Sequence, residues 1–377
     1  MKKSKIKYEE LLSYDDICLA YKHVKSKTKH KKKLNTYEMF YSSNLMNLYN
    51  KLKNHEYHHS NYNIFLIKDP KYRIIMSERI DDRIINHLVT NKILLPAIDN
   101  RLIDSNCATR KDRGNSYAFK LCKKYINKLK RDYKEFYILK FDITKYFYNI
   151  DHSILISFLS EITEDKRIIV LLEEIISSTD KEYVNFMINK VVSNEIDRLS
   201  KKNSKEAKTR IEELKKIPLY QKGKGLAIGN LISQTLAVFY LNKIDHFIKE
   251  ELGCKHYCRY MDGGIILDSD NNKLKNIKNK LEEKLHEIGL KLNKKTNIYK
   301  ITSGFTFVGY RFFLKNNRLI IRITNVSKKR IKKKYKNLKI YNEEKLVHVM
   351  ASYKGYLMIA STKFLNYKLV NMLIKKY

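Results

Sequence analysis

Two hydrophobic periods alternate along the chain and divide it into helices and strands. Up to about residue 60, apolar residues return at three- and four-residue spacing. This predicts helices joined by a basic connector, HVKSKTKHKKK, over 23–33. Two short alternating runs follow, YNIFLIKD (62–69) and KYRIIMSE (71–78), separated by Asp69-Pro70-Lys71, the pattern of a hairpin with proline in its turn. RIDDRIINHLVTNKILLPAID (79–99) returns to helical spacing and is expected to stop at Pro96. A basic amphipathic helix over 117–135 leads into FYILKFDI (136–143), a buried strand.

Residues 151–216 read as mostly helical. The last part, NEIDRLSKKNSKEAKTRIEELKK (194–216), carries charge all round, as in a solvated helix or inserted hairpin. A glycine-punctuated turn, KGKGLAIGN (222–230), opens a long apolar helix. HYCRYMDGGIILDSD (256–270) reads as strand, turn, strand, and NKLKNIKNKLEEKLHEIGL (272–290) as an amphipathic helix. Strands recur in FTFVGYRFF (305–313) and RLIIRIT (318–324), and the tail from Asn325 is helical and very basic. The fold class expected is α+β. The expected division is N-terminal helices and a hairpin over 1–136, a mixed region of strands and helices over 137–324 with a charged helical insertion near 186–216, and a basic helical region over 325–377.

Composition sharpens this picture. Hydrophobic residues make up 43%, enough for a real core in a 377-residue chain. No apolar run reaches the ~18 residues of a membrane span, and MKKSKIKYEE lacks the apolar centre of a signal peptide, so a cytoplasmic location and no membrane partner are expected. Lys and Arg number 77 against 40 Asp and Glu, a formal charge of +37. Self-repulsion on that scale favours a polyanionic partner. An AT-rich genome would also raise Lys, but it does not explain so few balancing acids. The 28 tyrosines offer flat faces for bases, although most will serve packing. Cys254 and Cys258 flank His256, but no second ligand pair follows at zinc spacing.

Asp142 and Asp262 each end an apolar strand, where an unpaired carboxylate is costly. On adjacent strands the two would repel unless divalent cations bridged them, an arrangement that serves two-metal phosphoryl transfer. Two ordinary strand-end turn aspartates are the alternative, and the sequence pattern alone does not pair the strands.

Five ordered motifs extend the reading. FDITKYFYNIDH (141–152) resembles the first palm motif of reverse transcriptases, an Asp followed at five residues by an aromatic. GLAIGNLISQTLAVFYLNKIDHFI (225–248) resembles their glycine-rich turn and helix, and YCRYMDG (257–263) their YxDD hairpin. GLKLNKKTNI (289–298) and FTFVGYRFF resemble the lysine motif and the primer-grip strands. DSNCATRKDRGNSYA (104–118) and ASYKGYLMIA (351–360) are similar to the fingers and thumb of bacterial retroelement enzymes. The IGNLISQ variant (228–234) leans towards diversity-generating retroelements, with phage-defence enzymes similar in pattern.

The resemblance implies a right-hand polymerase that extends a 3′-OH with dNTPs on an RNA template. Its cofactor would be Mg²⁺, with Mn²⁺ as the alternative. A cognate non-coding RNA, a DNA product and an accessory protein would be its partners. It implies that Asp142, Asp262 and the carbonyl of Ile143 hold metal, and that Lys295, or its neighbour Lys294, protonates the leaving pyrophosphate. It makes Phe147 the gate that excludes a 2′-OH, with core packing as the alternative. Gly225, Gly229, Ser233 and Gln234 would shape the floor under the nascent pair. Lys71, Arg73 and Arg110 would grip the triphosphate. Lys328, Lys329, Arg330, Lys332, Lys333 and Lys334 would track the template–primer duplex. After so short a thumb, neither an RNase H domain nor the endonuclease carried by many group II intron proteins is expected. One departure stands out: Gly263 occupies the place of the second hairpin Asp. That leaves an active enzyme with an unusual site, a weakened or engineered variant, or a polymerase-shaped RNA-binding scaffold.

Overall fold

The computed structural model describes residues 4–28, 31–68, 71–202, 204–336, 343–358, 360 and 363–374. It is an α+β fold with antiparallel sheets. The chain forms two compact units and passes between them after Asp104, Asp142, Phe247, Leu281 and Leu292.

The first unit comprises 1–104, 143–247 and 282–292. It opens with helices α1 (Tyr14–Lys27), α2 (Lys31–Glu38) and α3 (Tyr41–Lys53). The basic stretch 23–33 is therefore not one connector: 23–27 ends α1 and 31–33 begins α2. Ser13 starts α1 by accepting the Asp16 amide at 3.2 Å. β1 (Asn63–Ile67) and β2 (Arg73–Ser77) pair antiparallel as a hairpin, with Asp69 and Pro70 of the expected turn outside the described residues. Beyond α4 (Ile80–Val89) the helix does not end at Pro96. A π-turn at Thr90–Leu94 leads into α5 (Leu95–Ile98), whose first turn holds the proline. There its missing N–H is not needed, which is why the expected stop does not occur.

The second unit comprises 105–142, 248–281 and 293–377. Its α6 (Asn115–Asp132) leads into β3 (Tyr137–Asp142), a central strand. Later in the chain the first unit gains α7 (Tyr146–Asn149), α8 (His152–Ser160), α9 (Lys166–Ile176), α10 (Glu182–Ser200), α11 (Lys205–Lys215), α12 (Leu231–Tyr240) and α13 (Asn242–His246). Asp151 caps α8, accepting from the amides of Ser153 at 3.1 Å and Ile154 at 3.3 Å.

The charged stretch 194–216 is not solvated all round. α10 and α11 close a small apolar seam of Leu199, Ala207 and Leu214 against Leu66 and Tyr72 of the hairpin region. Glu195 on α10 is buried and meets both Lys68 and Arg198. Single apolar residues among many charges carry that seam, so composition alone hid it.

In the second unit, β4 (Tyr257–Tyr260) and β5 (Gly263–Asp268) form a hairpin, followed by α14 (Asn271–Glu287), which starts in this unit. With β6 (Asn297–Lys300) they make a four-stranded sheet in the order β4-β5-β3-β6. A second sheet runs β7 (Phe305–Phe307), β8 (Tyr310–Lys315), β9 (Arg318–Ile323). Both pack with α6 on one core that includes Phe119, Phe136, Ile138, Ile265, Phe305 and Phe312. The tail forms α15 (Asn325–Lys336), α16 (Glu343–Met358) and α17 (Lys363–Ile374). Ile331 and Tyr335, four residues apart, turn into that core and leave the lysines of α15 outward. Among the described residues, no helix is long and apolar enough to cross a membrane.

Candidate active site

The candidate residues fall into two sets, one in each unit. In the second unit, β3 and β5 pair so that Asp142 lies opposite Gly263, the residue after Asp262. Asp262 sits in the two-residue turn closing the β4–β5 hairpin, between Tyr260 and Gly263, which pair with each other. The two aspartates are thus one position apart across neighbouring strands. The backbone of Asp142 is pinned on both sides: its amide donates to Thr296 Oγ1 at 3.4 Å and its carbonyl accepts from the Asn293 amide at 2.7 Å.

The hairpin turn is held from below. Met261 adopts a left-handed φ of 55°, and the buried Arg259 donates from Nη1 to the Met261 carbonyl at 2.7 Å. Arg259 also bonds through its backbone to the 105–107 segment, accepting from Cys107 N at 2.9 Å and donating to Ser105 O at 3.0 Å. Cys258 and Cys107 are both buried, with Sγ atoms 3.4 Å apart.

Space at the hairpin bears on the missing carboxylate. A Cβ built on Gly263 would have Asp142 Oδ1 at 3.6 Å as its nearest atom, an ordinary contact, and φ there is not left-handed. A Cβ on Gly264 would fall 2.3 Å from the Phe141 ring. Position 263 therefore accepts a side chain facing Asp142, and position 264 does not. Among the described residues no group of three or more His, Cys, Asp or Glu converges as a metal cage. The donors available are the two hard carboxylates, a set suited to Mg²⁺ or Mn²⁺.

Lys295 lies exposed in the turn before β6, its amide donating to Asn293 Oδ1 at 3.0 Å. Lys294 beside it is equally exposed. Burial holds the Lys140 ammonium below its ordinary value; the charge of Asp142 opposes that shift, and that of Lys295 adds to it. Lys295 is thus electrostatically linked to the strand end that carries Asp142. Arg110 is half-buried in the turn before α6.

In the first unit, Phe147 lies half-buried in the single turn of α7, after Lys145 with a left-handed φ of 47°. Its neighbour Tyr146 is buried and bonds the Ala237 carbonyl of α12. The Phe147 carbonyl accepts from Leu226 N at 2.8 Å, and Gly225 N donates to Ile150 O at 2.7 Å. Gly225 requires its glycine: φ is +96°, and a Cβ would come within 2.5 Å of the Tyr220 ring. His152 Nε2 and Thr179 Oγ1 fix its carbonyl at 2.7 and 3.0 Å.

Gly229, at φ +121°, lets the glycine turn meet β2. A Cβ there would sit 2.9 Å from Ile75 Cγ2, and Met76 N donates to Ile228 O at 2.9 Å. Arg73, two residues before Ile75, shares its face of the strand and is exposed, as is Lys71. Ser233 is buried and Gln234 half-buried in the first turn of α12. The first unit therefore brings Phe147, the glycine turn and the Arg73 hairpin together through direct contacts, with Ser233 and Gln234 next along the chain at the start of α12.

Residues 67–312 match the family described as reverse transcriptase (RNA-dependent DNA polymerase). The chain belongs to the reverse transcriptase family. No curated protein matches it. Among solved structures it is similar to telomerase from Candida albicans in complex with a TWJ fragment of telomeric RNA. That match has 14% identity, covers 86% of this chain and 61% of that one, and has a TM-score of 0.48. It is also similar to apo telomerase from Candida tropicalis truncated from its C-terminal domain. That match has 16% identity, covers 69% of this chain and 55% of that one, and has a TM-score of 0.45. The chain thus spans less than two thirds of either telomerase.

In this reverse transcriptase family member, two features escaped the motif reading. Lys140 shares the Asp142 face of β3 and donates to Thr306 Oγ1 at 3.1 Å; the period-two pattern of LKFD carried that signal. Thr306 in turn borders a pocket of roughly 530 Å³, also lined by Thr302, Ser303, Arg311, Arg322 and Lys328. Arg311 and Arg322 face each other in register on β8 and β9, an unfavourable pairing unless an anion lies between them. Both guanidinium groups lean on Phe313, at 5.8 and 5.3 Å from its ring centre. Strand pairing, which no single strand reveals, brought these two together. On α15, Lys329, Arg330, Lys333 and Lys334 are exposed, and Lys328 and Lys332 half-buried.

Proposed function

We propose that this chain is an RNA-directed DNA polymerase that adds deoxynucleotides to a 3′-OH on an RNA template. The observation that carries this reading is the register of Asp142 opposite Gly263, one position from Asp262, in a chain of this family. Asp142 and Asp262, with the Ile143 carbonyl next along the chain, would hold the divalent cations. When bound, these ions supply the positive charge that steadies the attacking and leaving oxygens. Lys295 delivers a proton to the leaving pyrophosphate. Phe147 closes the space that a 2′-OH needs. Gly225, Gly229, Ser233 and Gln234 form the surface under the nascent pair, and Lys71, Arg73 and Arg110 grip the triphosphate. The pocket of Arg311, Arg322 and Lys328 and the lysines of α15 take backbone phosphates of the template–primer duplex.

We assign the fingers to 1–136, the palm to 137–324 and the thumb to 325–377. The setting is a bacterial retroelement or anti-phage defence system that supplies a dedicated non-coding RNA and acts in the cytoplasm, with an accessory protein. A second reading, an RNA-binding scaffold with little or no catalysis, is favoured by Gly263 alone. Primer extension on an RNA template with dNTPs and either Mg²⁺ or Mn²⁺ separates the two. Incorporation supports the polymerase, and RNA binding without incorporation in either metal supports the scaffold.

A further inference from the structure

The outer face of α6 carries cations without a balancing acid, as α15 does, but it lies outside every motif of the polymerase reading. Its inner face is spent in the core through Ala118, Phe119, Cys122, Ile126 and Leu129. Its outer face presents Lys120, Lys123, Lys124, Lys128 and Arg131, all exposed, over ~16 Å of helix. No Asp or Glu occurs between Asn115 and Arg131. Four pairs of like charge at three- or four-residue spacing therefore repel one another, which works against the helix. Elsewhere the chain relieves such crowding: on α11, Arg210 pairs with Glu206 and Lys215 with Glu212. Lysines continue beyond the helix: burial first, and then the charges of Lys128 and Lys249 against that of Asp268, hold His256 below its ordinary value, and Lys255 is exposed nearby.

From this face we propose a second RNA-binding surface, one that takes the phosphate backbone of a double-stranded RNA segment outside the polymerising duplex. Three features select that partner. The tyrosines on α6 are half-buried and engaged, Tyr117 beneath Arg113 at 4.3 Å and Tyr125 donating to Tyr257 O at 3.3 Å. Within the helix the face thus offers no free aromatic platform, the exposed Tyr133 lying past its last turn, and its flexible point charges suit a duplex recognised by shape. The apolar side of α6 is buried in the core, so the helix cannot lie in a membrane surface. Its position also sets it apart. α6 ends shortly before β3 begins, at the strand end ~17 Å from Asp142.

The proposal rests on the polymerase reading only for its choice of RNA, and binding can be measured without nucleotides. The test is the full chain carrying Lys120→Gln, Lys123→Gln, Lys124→Gln and Lys128→Gln together, beside the four Lys→Arg changes at the same sites. Anisotropy titrations across a salt series would use a hairpin RNA and an unstructured RNA of equal length. The Gln variant should bind the hairpin at least tenfold more weakly near 0.1 M salt. Its log K against log salt slope should fall by roughly 2–4, near 0.9 per lost phosphate contact. Binding of the unstructured RNA and extension of a short template–primer should stay within twofold, and the Arg variant should behave as wild type. Unchanged hairpin binding by the Gln variant would overturn the proposal. So would an equal loss on both RNAs or in primer extension, which would move these lysines into the polymerising cleft. Anionic vesicles captured by the wild type and not by the Gln variant would assign the face to a lipid surface instead. Failure in any of these arms leaves the polymerase reading standing, because wild-type primer extension is scored separately.

Discussion

At the scale of single residues, the hairpin glycines make opposite demands. A side chain at 263 would meet Asp142 Oδ1 at 3.6 Å, whereas one at 264 would strike the buried Phe141 ring at 2.3 Å. With one hairpin carboxylate, cations bind more weakly, and Mn²⁺ tolerates imperfect geometry better than Mg²⁺. Wild-type extension should therefore be faster in Mn²⁺, and Gly263→Asp should narrow the gap. The same variant should melt earlier in chelator, where three carboxylates repel, and gain more from added Mg²⁺ than the wild type does. An equal Mg²⁺ response in both proteins would mean the second carboxylate was never needed. Gly264→Ala should lose about 1–3 kcal/mol of stability, read by denaturant unfolding, because the Phe141 ring is stacked on Tyr257 and has nowhere to go. Phe147→Ala should raise ribonucleotide use relative to deoxynucleotide use in paired incorporation assays. Unchanged sugar selectivity would return Phe147 to a packing role.

At the scale of elements, the buried carboxylate of Glu195 ties α10 to the β1–β2 hairpin. Its hydrogen bond to Arg198, together with Lys68, holds its pKa down to about 2 against the opposing effect of burial. A depressed folded pKa contributes stability that is present above the ordinary carboxylate value. That contribution is lost as pH falls from about 4.5 towards about 2. Glu195→Gln should thus lower the melting temperature at neutral pH, by an amount equivalent to about 1–3 kcal/mol, and the difference should shrink through that acid window.

Element identity was mostly legible in the sequence. Alternation marked the β1–β2 hairpin, whose strands bury one face, continuous apolar runs marked β3 and β5, which are buried on both, and the glycines of KGKGLAIGN announced a turn. Pro96 misled because a π-turn moved it into a helix start, where it is harmless. The seam of α10 and α11 was hidden because three small or single apolar residues carry it. The site was legible as motifs but not as geometry. The pairing of Asp142 with Gly263, the Arg311–Arg322 pair and the buried Arg259 each depend on strands distant in sequence.

At the scale of the whole molecule, +37 of formal charge is the dominant fact. Purified protein should carry RNA at low salt and release it as salt rises, with a slope of roughly −0.9 per phosphate contact on a duplex and less on single strands. Absorbance ratios and sequencing of the co-purifying RNA would check this and identify the template. Protein free of nucleic acid, with salt-independent binding, would remove the electrostatic part of the account. The central claim is narrower: Asp142 and Asp262 act on the reacting phosphates through cations, and not on the template. Its most direct test is dNTP incorporation by Asp142→Ala and Asp262→Ala, with RNA affinity measured on the same preparations. Incorporation should vanish in both while RNA affinity stays within about twofold of wild type. Extension at near wild-type rate by either variant would contradict the assignment.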